Sequence, residues 1–235
     1  MRYSEFDKSF SLLYFIILLI ELFAFTIQGF VKLHYATKPM LLISLIYFLY
    51  VKRFELNNKS RQLMFWGLLI ALLGDIFILF DTIENNYVLF SLGVFSFMIV
   101  MIIYSIVFLD KKNKSLRSFG FLLGLISYLT ILFMVIWHSL GNLLIPVMFY
   151  GLLLITMNYC AYLRRHNVSK ISFNFVIIGA LLMLISNTFV VINKFYFPLY
   201  WSHELIMSTY GISQYCLVFG LLKQNIELKH KFNIR

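Results

Sequence analysis

From about residue 10 to residue 222 the chain is a near-continuous series of apolar runs, and no connection between them is long enough to hold a folded module. A helix rises 1.5 Å per residue, so roughly 20 residues span the ~30 Å hydrocarbon core of a bilayer. Within that core every backbone N–H and C=O must find its partner inside the spanning element, and helices satisfy this at these lengths. With 61% hydrophobic and 13% charged residues among 235, the chain carries too much apolar surface for one soluble core. The expected fold is all-α: a polytopic integral membrane protein, one transmembrane domain over residues 1–235. Eight spans are expected, at roughly 10–28, 37–51, 62–81, 87–109, 119–138, 143–163, 173–193 and 202–222. The first is read as a span and not a signal peptide, because Glu5 and Asp7 precede it and no small-residue cleavage site follows. The second is short, and Pro39 suits its first turn because proline lacks the amide hydrogen.

The net charge of +10 is distributed as a topology signal. With the N-terminus placed in the cytoplasm, 17 of the 20 Lys and Arg residues fall on that side, leaving only Lys32, Lys38 and Lys194 opposite. By the positive-inside rule both termini are expected in the cytoplasm. The basic segments also favour anionic lipid at that face, and nucleic acid is not an expected partner. Heavy use of Ile, Phe, Lys, Asn and Tyr points to a low-GC bacterium, hence to its inner membrane. Cys160 and Cys216 fall inside spans, where buried thiols act as small apolar packing residues. The five histidines (His34, His138, His166, His203, His230) are read at span ends or in loops. No HExxH, CxxC, P-loop or GxSxG occurs, so no metal and no cofactor is expected.

Against this background "ALLGDIFILFD" (71–81) stands out, because Asp75 sits in an apolar run without a cationic neighbour. A carboxylate in hydrocarbon costs several kcal/mol and usually faces a protein interior or a water-filled cavity. "LLGDIFIL" (72–79) can be laid over "LISNTFVV" (184–191), which puts Asp75 over Asn187 at an offset of 112. "YSIVF" (104–108) matches "YCLVF" (215–219) at an offset of 111. Four spans separate the copies, an arrangement compatible with two parallel four-helix repeats. Asp75 and Asn187 then lie at matching depth and are expected to line one cavity. Glu21, Lys38, Tyr210 and Gln214 join that layer, and Tyr210 and Gln214 share a helix face at i and i+4. Each of these also has a plain packing role: Glu21 pairing with a helix, Tyr210 in an aromatic belt, Gln214 as interhelical glue.

"TKPMLL", "WGLLIALLGDIFILF", "GVFSFMIVMIIY", "PVMFYGLLLITMNYCAYLRR", "GALLMLISNTF" and "STYGISQYCLVFGL" together resemble, in that order, the YhhN family of eight-span membrane proteins, which includes the lysoplasmalogenases. The resemblance runs from about residue 37 to 222. It implies hydrolysis of the vinyl ether bond of a single-chain lysolipid, releasing a fatty aldehyde. A vinyl ether reacts after protonation on carbon, which gives an oxocarbenium ion that water attacks; two acidic groups suit those two tasks. Carried over by position, the family's pattern marks Asp75 after Gly74, Lys38 before Pro39, and Tyr210 and Gln214. Its serine–aspartate pair is Ser186–Asn187 here, and the histidine three residues before Tyr104 is Met101. Asp75 is therefore expected as the main acid/base with Glu21 as substitute carboxylate, and Asn187, Tyr210, Gln214, Lys38 and Tyr104 as substrate-binding residues. Two other classes fit the same residues: a non-catalytic relative that binds or moves a single-chain lipid, and a proton-coupled small-solute transporter.

Overall fold

The computed structural model describes residues 5–26, 31–84, 86–113, 116 and 118–224. Arg2, Lys114, Arg117, Lys229, His230, Lys231 and Arg235 lie outside the described residues. Among the described residues there are eight α-helices and no strand: α1 (Glu5–Thr26), α2 (Val31–Val51), α3 (Asn58–Glu84), α4 (Tyr87–Leu109), α5 (Phe119–Leu140), α6 (Leu144–Tyr162), α7 (Lys170–Phe195) and α8 (Ser202–Leu222). Seven of them are long and apolar enough to cross a membrane. The exception is α2, whose first half carries His34, Thr37 and Lys38, all buried.

α2 begins at Val31, earlier than the expected residue 37, so Pro39 lies inside the helix instead of in its first turn. The sequence signal failed because His34, Thr37 and Lys38 lower the hydropathy of that stretch and mimic a loop. Proline frees a backbone carbonyl one turn earlier, and membrane helices tolerate this where neighbouring helices or Ser/Thr side chains pack around the break.

Helix starts follow side-chain chemistry. The Asn86 side chain accepts from the Val88 N–H and caps α4; Ser169 accepts from the Ser172 N–H and caps α7. Each satisfies a donor that the first helical turn leaves without an intrahelical partner.

α8 is the innermost helix: 72% of its most apolar stretch is buried, against 11% for α5, which faces outward. The most extensive helix contacts are α7 against α8 and α3 against α4. Small residues set both crossings. A Cβ on Gly179 would meet Cys216 and Leu217 at 3.0 Å, and one on Gly67 would meet the Tyr104 ring at 2.8 Å. Gly67 and Gly179 are themselves 112 residues apart, the offset that relates Asp75 to Asn187. At Gly220 the approach is tightest against backbone: a Cβ would sit 2.8 Å from Phe175 Cβ and 3.0 Å from the Val176 nitrogen. Overpacking of this kind costs about 1–3 kcal/mol. Gly220→Ala should therefore lower the unfolding temperature in detergent. Gly120→Ala, in a helix position open to its surroundings, should leave it unchanged or raise it, since glycine inside a helix costs about 0.5–1 kcal/mol. Equal shifts in the two variants would refute the close α7–α8 crossing.

Side-chain and backbone bonds gather the basic connections at one end of the bundle. Asp7 near the start of α1 pairs with Lys52 at 2.9 Å and also with Lys223 after α8. Asn57 donates to Asp110 at 2.8 Å, the Asn113 N–H donates to the Leu163 carbonyl at 2.7 Å, and Ser169 donates to the Lys223 carbonyl at 3.0 Å. Arg164 is fully buried here, donating to Ser172 and Gln224; its burial pulls the guanidinium pKa down to about 9. At the opposite end Lys194 pairs with Asp81 at 3.5 Å and lies over the Phe90 ring. Both ends of the described chain thus lie on the basic side.

Candidate active site

α8 brings Tyr210 and Gln214 into the bundle one turn apart, and both are buried. The Tyr210 hydroxyl donates to Asp75 Oδ2 at 2.8 Å, and Phe97 packs edge-on against the Tyr210 ring. Asp75 is itself only 4% exposed, so the Tyr210 bond is made inside the bundle. The Tyr104 hydroxyl donates to Gln214 Oε1 at 2.9 Å. That bond fixes the amide orientation and leaves Gln214 Nε2 buried without a partner among the described residues. An unsatisfied buried donor is costly, about 1–3 kcal/mol, and such exceptions concentrate at functional sites. Tyr14, wholly buried, holds this part of α8 in place by donating to the Gly211 carbonyl at 2.8 Å.

Lys38 is buried. Glu21 is fully buried on α1. Its Oε1 lies 2.7 Å from His34 Nδ1 and 3.6 Å from His203 Nε2, while Thr37 donates to Oε2. His34, Thr37 and Lys38 occupy i, i+3 and i+4 of α2 and so present one polar face to the core. Phe25 stacks on the His203 ring at 3.8 Å and meets His34 edge-on.

Asn187 is engaged elsewhere. It accepts from the Tyr150 hydroxyl and donates to the Met183 carbonyl at 2.8 Å, so none of its hydrogen bonds reaches Asp75, Tyr210 or Gln214. Ser186 donates to the Ile206 carbonyl at 3.0 Å and serves the α7–α8 contact. Met101 is a buried member of the apolar core. Among the residues named from sequence, the structure thus joins Asp75 to Tyr210 and Tyr104 to Gln214 directly.

His34, Thr37, His203 and Tyr150 were not anticipated as site residues. The i, i+3, i+4 spacing on α2 was the available signal for the first two. His203 and Tyr150 had none, because their partners are distant in sequence.

These features define a helical membrane protein with a core carboxylate held by a tyrosine. The chain belongs to the YhhN family, whose pattern matches residues 33–221. The match includes Lys38, Asp75, Tyr104, Asn187, Tyr210 and Gln214; Glu21 precedes it. No solved structure matches the chain.

Proposed function

We propose that the protein is a lysoplasmalogenase-like hydrolase of the vinyl ether bond of single-chain lysolipids, with an altered active site. The observation that carries the reading is Asp75: a carboxyl buried in the core with one oxygen held by the Tyr210 hydroxyl. Family membership is consistent with it. In this reading protonated Asp75 gives its proton to the outer vinyl carbon, the C–O carbon becomes an oxocarbenium ion, and water adds there. The resulting hemiacetal collapses to aldehyde and alcohol. Tyr210 orients the carboxyl and Tyr104 orients Gln214, whose free amide hydrogens face the substrate. The Lys38 cation supports the Asp75 carboxylate that remains after proton transfer. Glu21 is the remaining buried carboxylate near Asp75 and takes the part of the second acid. The test is aldehyde release from lysoplasmalogen by purified protein in detergent.

A second reading, a non-catalytic relative that binds or moves a single-chain lipid, draws on Asn187. The residue at the family's second acid is an amide with its polar atoms committed to Tyr150 and Met183.

All eight helices are taken to span a bacterial inner membrane, with the basic end in the cytoplasm and against anionic lipid. The shared offset of Gly67–Gly179 and Asp75–Asn187 supports two parallel four-helix repeats. Reporter fusions should therefore be cytoplasmic at Arg235 and exported when inserted at 139–142. An exported reporter at Arg235 would overturn this orientation.

A further inference from the structure

We propose that Glu21, His34 and His203 form a binding site for a single Zn²⁺ ion. The sequence carries no metal motif, because the three residues come from α1, α2 and α8 and meet only in the fold. The idea goes beyond the hydrolase reading and gives Glu21 a different task, a metal ligand in place of a second acid; it is tested without any lipid substrate, so the two readings fail separately.

The geometry argues for more than an ion pair. One ligand atom from each residue lies within 4.8 Å of the other two. A tetrahedral Zn²⁺ with bonds of about 2.0–2.2 Å holds its ligand atoms roughly 3.4 Å apart. Small side-chain shifts are thus enough for an ion to enter the triangle. A hydrogen bond explains the 2.7 Å approach of His34 to Glu21, but not the position of His203. His203 Nε2 is buried, has no hydrogen-bond partner among the described residues, and lies 3.6 Å from Glu21 Oε1. That separation is too long for a hydrogen bond. A cation between the three atoms gives that nitrogen's lone pair a partner.

The surroundings have the form of a supported metal site. Thr37 holds the second Glu21 oxygen, and Phe25 packs against both imidazoles and fixes their planes. Such outer contacts orient ligands and raise affinity. Two imidazoles and a carboxylate suit Zn²⁺ among abundant divalent ions, and three protein ligands leave a fourth position open. Charge also fits. The Glu21 carboxylate offsets one charge of the ion, a better balance than a bare buried cation would find.

The experiment uses untagged, detergent-purified protein stripped with a chelator and titrated with Zn²⁺ alone. Wild type should bind one equivalent, and saturating Zn²⁺ should raise its unfolding temperature. Glu21→Gln and His203→Phe should each weaken binding by about 100-fold or more, and Thr37→Val by about 10–100-fold, the range for an outer contact. His203→Phe keeps a ring against Phe25 and removes the ligand nitrogen, so it guards against a folding defect in the Glu21 variant. His138→Ala, far from the cluster in sequence and on α5, should bind as wild type does. Absence of stoichiometric Zn²⁺ from wild type would overturn the proposal. So would unchanged affinity in His203→Phe. An equal loss in His138→Ala would likewise overturn it by showing adventitious histidine binding.

Discussion

Asp75→Asn is expected to abolish aldehyde release from lysoplasmalogen, lowering the rate by about 10²–10⁴-fold, the usual worth of a positioned acid or base. The size of the effect follows from what the substitution spares. The amide has the carboxyl's shape, and the Tyr210 hydroxyl, now 2.8 Å from Oδ2, can donate to the amide carbonyl in its place. Packing against Phe97 on the Tyr210 ring is untouched. What disappears is the transferable proton and, after transfer, the negative charge opposite Lys38. The variant should therefore unfold at the wild-type temperature or above it, because a buried ionisable group has been made neutral. A variant that keeps the wild-type rate would remove Asp75 from the mechanism.

Asn187→Asp carries the second large expectation, a gain of roughly 10²-fold over wild type. The site is built to accept the change. As a protonated acid, residue 187 would still accept from the Tyr150 hydroxyl and could donate to the Met183 carbonyl, the two bonds the amide now makes. The substitution thus adds an exchangeable proton with little cost in hydrogen bonding. Three outcomes separate the readings. Slow wild-type turnover with a faster variant supports an attenuated hydrolase. Turnover in the variant alone means that the scaffold is a hydrolase's and this protein has left catalysis. No aldehyde from either, with saturable lysolipid binding, removes the hydrolase and leaves the lipid binder.

Much of the architecture was legible because hydrocarbon is an exacting solvent. Long apolar runs separated by basic segments left helices as the available form, and the same basic segments mark the end of the bundle that Asp7, Asp110 and Leu163 tie together. The Tyr210–Gln214 face was legible from a one-turn spacing, and Asp75 from the cost of its burial. Equal depth, however, fixes height along the bilayer normal and says nothing of the direction in which a side chain points. Asn187 bonds Tyr150 on α6, and Ser186 beside it bonds the Ile206 carbonyl on α8, partners that depth alone does not name. The early start of α2 was hidden for the opposite reason. His34 and Thr37 look like loop residues until Glu21 from another helix supplies their counterpart.

The pairing of Asp7 with both Lys52 and Lys223 has a consequence for biogenesis. Asp7 enters the membrane region with the first helix made, and one of its two cations arrives only when the last helix has left the ribosome. Until then α1 lacks the partner against which Tyr14 and Leu18 pack, since a Cβ on Gly211 of α8 would fall 2.6 Å from the Leu18 side chain. The helix ring is therefore closed post-translationally, by contacts between the two ends of the chain. Partly made or C-terminally shortened chains would present an open bundle whose Asp7 has Lys52 but not Lys223 against it, a form that membrane quality-control proteases can recognise.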